Sequence, residues 1–567
     1  MQRSPARPRA STLRRGGRVG MNFLDAIFHH LREAADRPVL QEVHPEGVRS
    51  VTGAELLALV RTARAYVRRQ GVRPGDRCAL LAPNSIRWVA LDLALMAEGI
   101  IVVPLYVRQT PAELVHIMKD CSPVLLCCEG DELRDRLRAL WPEAPPMPSW
   151  EEIFTPDPLS DSIPDAPIPR TDSDPVTIIY TSGTSGDPKG VVLTVGNVTF
   201  MLPHTHERLD RLMGRRREPE RVFHYLPFCF AGSWILLLTC LSRSSVLALS
   251  MDLTRLREEM ARIRPHYFLN VPVLLERMRA GIEERMRHTN RLVRALFERG
   301  KAAWQHHFEG RADFRDRFWL TLARPLFRGI RQQLGPQLVA LICGSAPLRL
   351  ETQLFFMMLD IPVLQVYGLT ETTAICTMDD PQDFTPGRVG RAIPGVQMRL
   401  APNGEILVRG PNVFPGYWNR PEATAQAFRD GWFCTGDHGE VDETGKWSIL
   451  GRVKHLIVLS SGHNVPPEPL EDMVLRALPG AQHVVLVGHG RPHLAALITG
   501  AVTAEQVEAA LESLNAQLPH YKRIRAYAIL PEPLTIENGL LTANGKLRRE
   551  AILARFHAEI ERLYAKA

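Results

Sequence analysis

Residues Thr177–Thr194, TIIYTSGTSGDPKGVVLT, set a loop of ten residues between two apolar runs. The flanks TIIY and VVLT are rich in β-branched residues and read as strands. Between them stand four hydroxyls (Thr181, Ser182, Thr184, Ser185), three glycines (Gly183, Gly186, Gly190) and Lys189. Glycine lets backbone N–H groups approach an anion closely, hydroxyls add rotatable donors, and the lysine adds charge. The loop therefore suits phosphate. It is not a P-loop, because the glycines are wrongly spaced and Lys189 is followed by Gly190. A plain Gly/Ser linker would not join two buried-type strands. Alone, the loop points to a nucleotide or a phosphate and no further.

Working outward, Val51–Leu105 alternates helical stripes (ELLALVRTARAYVRRQG) with short apolar runs (RCALLAP, GIIVVPLY), the rhythm of β-α-β units and a mostly parallel sheet. Residues 142–175, rich in Pro, Asp and Ser, read as a wrapping loop. The rhythm resumes at VTIIYTSG and runs through VFHYLPF, SSVLALS, HYFLNVP, LVALICG and PVLQVYG, which predicts a second wound sheet. From Gly281 to Leu334 the chain is basic and helical, with Phe297, Trp304, Phe308, Phe314, Phe318, Trp319 and Phe327 at spacings expected for core or interdomain packing. After Gly387, short strands and turns predict a small barrel. The stretch beyond Arg452, about 115 residues, is long enough for its own domain.

The expected fold class is thus α/β: a large N-terminal domain of two doubly wound sheets plus a small β-barrel, then a smaller, mobile α+β C-terminal domain. The expected boundaries are 21–451 and 456–567 with a hinge at 452–455. Residues 1–20 hold six arginines and no acid, a composition shared by transit peptides and unstructured extensions; the second reading is preferred, with Met21 as an alternative start.

Composition excludes several classes. At 45% hydrophobic and 23% charged, the 567 residues are those of a globular protein. A formal charge of +7 is small for the length and does not indicate nucleic acid as partner. Nine scattered cysteines without a C-x-x-C pair argue against a disulfide framework or a zinc site and suit a reducing, cytoplasmic setting. The longest apolar run, Trp234–Leu241, is too short to span a bilayer. The C-terminal stripe of Ile552, Phe556, Ile560, Leu563 and Tyr564 suits either packing on its own domain or peripheral contact with the inner membrane face.

The order of residues in the opening loop resembles the signature of the adenylate-forming (ANL) superfamily, and five further blocks follow in register: LICGSAPL (Leu341–Leu348), QVYGLTETT (Gln365–Thr373), GWFCTGDHGEVDETGKWSILGR (Gly431–Arg452), GRVKHLIVLSSGHNVPPEPLE from Gly451, and LTANGKLRRE from Leu541. The resemblance implies that Gly344, Ser345, Ala346 and Pro347 line adenine, with Tyr367 stacking on it beside Gly368. It implies Thr370 at the α-phosphate, Glu371 on Mg²⁺, Asp437 and Arg452 on the ribose, and Lys546 as the catalytic lysine. Lys454 would be the hinge, with Gly462 delivered to the thiol arm of coenzyme A.

Details such as ENGLLT and the helical insertion before LFRGIRQQLG resemble the long-chain acyl-CoA synthetases. The implied activity is ATP-dependent conversion of a medium- or long-chain fatty acid to acyl-AMP and then to a CoA thioester. Two alternatives remain at this point: a ligase that loads an acyl carrier protein, and a nucleotide-binding relic. Departures from the pattern are Phe230 at a usual His position, Thr194-Val195-Gly196-Asn197 for Ser/Thr-His-x-Asn, Val273 where an arginine is common, and His455 after the hinge lysine, read as a tolerated surface substitution.

Overall fold

The computed structural model describes residues 21–182, 188–214, 218–542 and 545–565, with the side chain of Ser182 left aside. The expectations placed on residues 1–20 and on Gly183, Thr184, Ser185 and Gly186 lie outside the described residues.

Two wound sheets form the larger part. One has five strands in the order Leu125–Cys128, Arg77–Leu81, Ile101–Pro104, Pro175–Ser182 and Pro188–Thr194; the first four are parallel and the last turns back antiparallel. Strands such as Arg77–Leu81, buried at four of five positions, read as continuous apolar runs because helices cover both faces. The other sheet has nine strands. Its parallel middle runs Val363–Tyr367, Ala340–Cys343, Tyr267–Asn270, Glu220–His224, Ser245–Ser250 and Pro38–Val43, with antiparallel strands at both edges. The wrapping loop is pinned by the buried Arg64, which donates to the carbonyls of Pro164 (2.6 Å) and Ala166 (3.2 Å) and to Glu98 (2.6 Å).

The small barrel is seen instead as a five-stranded antiparallel sheet: Gln397–Leu400, Glu405–Arg409, Trp432–Val441 and Phe428–Arg429 in order, with Trp447–Arg452 also on Trp432–Val441. No ladder among the described residues closes its edges. Register irregularities between Glu405 and Leu407 and between His438 and Gly439 interrupt the ladders on the long strand, and closure depends on register carried around the whole sheet.

Beyond Arg452 come a two-stranded hairpin, Ile457–Val458 with Asn464–Val465, and a three-stranded sheet of Ala481–Val487, Leu494–Gly500 and Ile524–Ile529. The C-terminal stripe packs here. Ile552 and Phe556 are buried, Ile560, Leu563 and Tyr564 lean on the same cluster, and the Tyr564 hydroxyl donates to the carbonyls of Val487 and His493, both at 3.1 Å. Of the two expectations for that stripe, packing on its own domain is the one observed. The insertion aromatics divide: Phe297 and Phe327 are core, whereas Phe308, Phe314 and Phe318 are exposed.

All nine cysteines are free thiols and eight are buried. No helix among the described residues is long and apolar enough to cross a membrane.

One buried acid gives a stability test. Asp92, on helix Ile86–Ala97, accepts a 2.9 Å hydrogen bond from the Trp234 indole, and burial raises its pKa to about 7. A raised folded-state pKa means stability is full below the unfolded value near 3.8 and is lost as pH rises toward 7. Asp92→Asn keeps an acceptor for Trp234 without that cost. The variant's Tm advantage over wild type should widen from pH 4 to pH 7, toward as much as about 4 kcal/mol, from about three pKa units at 1.36 kcal/mol each. Melting curves that shift in parallel across this window would show that Asp92 does not titrate there.

Candidate active site

The site forms where ligands collect in open α/β sheets, at the carboxyl ends of adjacent parallel strands. Ala340–Cys343 leads into Gly344–Pro347, and its neighbour Val363–Tyr367 leads into Gly368–Thr373. Both turns are sterically restricted. A Cβ on Gly344 would lie 2.8 Å from Val366 Cγ2, and one on Gly368 would lie 2.2 Å from the carbonyl oxygen of Ala374. Ser345, Thr373 and Ala374 take positive φ of 72°, 51° and 75°, conformations a chain holds only where its surroundings enforce them.

Tyr367 ends its strand with the ring buried and its hydroxyl donating to Asp437 Oδ2 at 2.8 Å. Asp437 lies on Trp432–Val441 and takes Arg452 Nη1 on Oδ1 at 2.7 Å, while the same nitrogen donates to the Thr435 carbonyl at 2.8 Å. Burial alone would pull the guanidinium pKa down, but the charge and hydrogen bond of Asp437, together with Tyr367 and Glu371, raise it overall. The ring of Tyr367 and both ribose-side candidates thus form one fixed unit.

Thr370 and Glu371 belong to the single turn Thr370–Thr372. Glu371 Oε1 accepts a 2.9 Å hydrogen bond from the Tyr417 hydroxyl, and its main-chain carbonyl accepts from the Phe414 N–H at 2.8 Å. Burial raises the Glu371 pKa, opposed by the Tyr417 bond and the Arg452 charge. Lys189 Nζ lies 5.3 Å from the Tyr417 ring centre, a cation–π distance. Tyr417 was not foreseen from the sequence. Its signal is the Gly-Pro-rich stretch Gly410–Arg420: Val191 bridges Tyr417, and the Trp418 N–H donates to the Gly190 carbonyl at 2.7 Å. This loop fastens the second flank of the phosphate loop to Glu371.

Among the described residues no group of three metal-ligating side chains occurs. Glu371 offers one hard carboxylate, oriented by Tyr417, and that donor set fits Mg²⁺ arriving with nucleotide phosphates rather than a resident metal.

Lys546 comes from the far end of the chain. It follows Gly545, which takes φ 73°, and the Lys546 N–H donates to the Thr542 hydroxyl at 3.1 Å. Its Nζ donates to the Ser345 carbonyl at 3.3 Å, across 201 residues. Solvent still reaches one side of this side chain. Crowding by protein atoms, and then the Arg452 charge, lower its pKa, with Asp437 opposing.

Ion pairs hold this arrangement. Arg349 faces Glu276 (3.4 Å) and Asp472 (3.8 Å), and Glu351 faces Arg279 (3.7 Å) and Arg476 (3.0 Å). Lys454 sits in the turn Val453–His455 with Nζ 3.8 Å from Glu550; burial and the neighbouring Arg452 lower its pKa while Glu550 raises it. His455 is no idle surface residue: Nδ1 lies 2.8 Å from Glu468, which also faces Arg549. Gly462, at φ 82°, occupies the exposed turn of the two-stranded hairpin, and the adjacent His463 stacks on Tyr521. The structure brings Lys546, not Gly462, to the Gly344–Pro347 turn.

The departures from the family pattern are structurally accommodated. Thr194 and Asn197 form a capping box, and Asn197 donates onward to the carbonyls of Pro411 (2.8 Å) and Val413 (3.1 Å). Phe230 caps helix Ala231–Leu241 against Tyr106, with ring centres 5.5 Å apart. Val273 is exposed at the start of helix Pro272–Arg287. Phe228 is buried between His224 and Trp88.

The profile of the AMP-binding enzyme family matches residues 27–418, and that of the AMP-binding enzyme C-terminal domain matches 454–567. The chain belongs to the AMP-binding enzymes. It is 29% identical over 587 residues to the long-chain-fatty-acid–CoA ligase FadD15 of Mycobacterium tuberculosis, covering 96% of this chain and 97% of that protein. It is 28% identical to long chain acyl-CoA synthetase 2 of Arabidopsis thaliana, covering 90% and 86%. In fold it resembles ATP-bound MatB from Rhodopseudomonas palustris, with a TM-score of 0.73 at 24% identity over 94% of this chain and 99% of that one. It also resembles a Mycobacterium tuberculosis fatty acyl CoA synthetase, with a TM-score of 0.64 at 24% identity over 94% and 98%.

Arg476→Glu sets a third acid beside Glu351 and Asp472. The C-terminal part should then be held less firmly, and trypsin should cut at Arg452 and Lys454 about threefold faster or more, as expected for losing a partly exposed pair and gaining a repulsion. An unchanged cleavage rate would mean that these pairs do not hold the two parts together.

Proposed function

We propose that this chain is an acid–thiol ligase that activates a long-chain fatty acid with ATP, releasing pyrophosphate to leave acyl-AMP, and then transfers the acyl group to the thiol of coenzyme A with release of AMP. Relatives named for this reaction align over nearly the whole chain. The observation that carries the reading is Lys546 at 3.3 Å from the Ser345 carbonyl, in the same cleft as Glu371 and the Asp437–Arg452 pair.

The chemistry explains that arrangement. A carboxylate resists thiol attack because it is anionic and lacks a good leaving group; adenylation removes both obstacles. To form acyl-AMP, two anions must meet, and their repulsion has to be offset by fixed positive charge. Lys546 is the cation placed to lie between carboxylate and α-phosphate. Thr370 lies one residue before Glu371 to meet the α-phosphate, and Tyr367 presents a ring face for the base. Mg²⁺, when bound with the nucleotide, would screen the phosphates, and Tyr417 holds Glu371 oriented toward it. Thr181 and Lys189 flank the loop suited to pyrophosphate. Catalysis here is positioning and electrostatics, with no covalent intermediate on the protein.

After pyrophosphate leaves, Lys546 blocks the face a thiol must approach, so the part beyond Arg452 turns about Lys454 and brings Gly462 to that face. The boundaries 21–451, 452–455 and 456–567 serve this motion.

Acid-dependent ATP–pyrophosphate exchange, measured over fatty acids of rising length, should peak with long chains and be followed by acyl-CoA release. Exchange without transfer to CoA but with transfer to a phosphopantetheinylated carrier protein would replace the acceptor; no exchange at all would defeat the reading. Lys546→Ala should lose about 10²–10³-fold in exchange, the scale for removing one electrostatic stabiliser. Since the Lys546 pKa is lowered in the free enzyme, kcat/KM for ATP should fall on the alkaline side with a midpoint below 10.5, and Lys546→Arg should abolish that limb. An alkaline limb that persists in Lys546→Arg would assign the titration to another group.

A further inference from the structure

Helix Pro111–Cys121 carries an acid, Asp120, in its last turn. The helix starts on a reciprocal cap between Thr110 and Glu113, and its inner face, Leu114, Val115, Ile117 and Met118, shares an apolar cluster with Ile178 and Val192 of the two strands that flank the phosphate loop. A carboxylate at the C-terminal end faces the negative pole of the helix dipole and weakens the helix. Yet the Asp120 side chain is only 12% exposed, so particular partners hold it there.

Two segments from elsewhere in the chain converge on that carboxylate. Tyr180, on the strand that leads into the phosphate loop, donates its hydroxyl to Asp120 Oδ2 at 2.6 Å. Arg420 places Nη2 2.6 Å from Asp120 Oδ1, and Asn419, at φ 49°, donates from its side-chain amide to the Asp120 carbonyl at 3.4 Å. Burial, and then the bond to Asp120, raise the Tyr180 pKa, so the phenol stays a donor. An ionised carboxylate has an oxygen for the phenol and another for the guanidinium at the same time. Arg77 completes the seat: it donates to the carbonyls of Cys121 (3.0 Å) and Ser122 (2.9 Å), and its guanidinium carbon lies 5.5 Å from the Trp418 ring centre.

Both segments lead to groups suited to the phosphates of ATP. Tyr180 pairs with Gly190, and Thr181 with Lys189, across the two strands. A Cβ on Gly190 would lie 3.0 Å from Tyr180 Cζ, so the ring is packed against the facing strand with no space for a side chain between them. Arg420 closes the segment whose Tyr417 hydroxyl meets Glu371 at 2.9 Å. One helix end thus holds two things in fixed relation: the strands on either side of the phosphate loop, and the carboxylate suited to Mg²⁺.

We propose, on the ATP-dependent reading given above, that Asp120 is a positioning residue: its carboxylate sets the spacing between the strands of the phosphate loop and Glu371, and with it the fit to MgATP. A residue that orients the partner of a metal-binding side chain governs affinity without touching metal or nucleotide. A merely architectural role for the helix end would need neither tie, and the helix by itself would be better served by a neutral or basic residue at this position. The two ties together account for a buried acid where the helix disfavours one.

Calorimetric titration of MgATP into the full chain, with no acid substrate present, reads the nucleotide affinity directly. Asp120→Ala should weaken it about tenfold or more, the scale for losing a group that orients a metal's ligands. Asp120→Asn should weaken it less, because an amide still bridges phenol and guanidinium. Tyr180→Phe and Arg420→Gln, each removing one tie, should each weaken binding about threefold in the wild-type chain and add nothing in the Asp120→Ala background. In turnover, Asp120→Ala should raise KM for ATP in pyrophosphate exchange, whereas transfer from supplied acyl-AMP to coenzyme A should stay within about twofold of wild type, since that step uses no β- or γ-phosphate. Unchanged MgATP affinity in Asp120→Ala would overturn the proposal. So would an equal fall in both half-reactions, the mark of a scaffold role, or effects of Tyr180→Phe and Arg420→Gln that persist without Asp120. A wild-type chain that binds no MgATP would instead defeat the ATP-dependent reading itself.

Discussion

The organisation of the site depends on the Asp437 carboxylate. It takes the Tyr367 hydroxyl from the nine-stranded sheet and the Arg452 guanidinium from the end of the antiparallel sheet, so one buried anion joins two layers between which no strand ladder runs among the described residues. Removing a single partner from such a trio leaves charge or polar atoms uncompensated, a far larger cost than the worth of any one bond. Arg452 is also the last residue before the chain leaves for its C-terminal part. The anion that fixes the Tyr367 ring thereby fixes the point from which Lys546 is reached.

A second chain of contacts runs beside it. Tyr417 joins Glu371 to Lys189, and the loop carrying Tyr417 pairs with Gly190 and Val191. Asn197 closes the circuit by bonding the carbonyls of Pro411 and Val413. Groups expected at opposite ends of a nucleotide triphosphate are therefore mechanically linked: the strand that follows the phosphate loop, the carboxylate suited to Mg²⁺, and the helix after the strand. Thr194 and Asn197, on either side of the departure at Val195, carry the polar contacts of this circuit.

Much of this was legible in the sequence because it rests on local grammar. Alternating apolar runs and helical stripes predicted two wound sheets, and the resemblance to the adenylate-forming superfamily picked out Gly344 and Gly368, where the structure leaves no room for a Cβ. What escaped was whatever depends on distant partners. Nothing near Tyr417 announces Glu371, 46 residues away, and nothing after Lys454 shows that His455 faces Glu468. The expected barrel failed because strand count and turn spacing are local, whereas closure depends on register across the sheet. The same helical spacing led to opposite outcomes for two apolar stripes: Ile552 to Tyr564 found a sheet to cover, while Phe314 to Leu322 found none, having its core contacts on the other side of the helix.

Among the contacts that hold the C-terminal part against the cleft are ion pairs with partly exposed side chains, at Arg349, Glu351 and Arg476. Pairs of this kind contribute about 0–1 kcal/mol each. Contacts of this strength are exchanged without melting a packed core. If the part beyond Arg452 turns about Lys454 as proposed, the occupant of the cleft and not a rigid latch would set the order of the two steps.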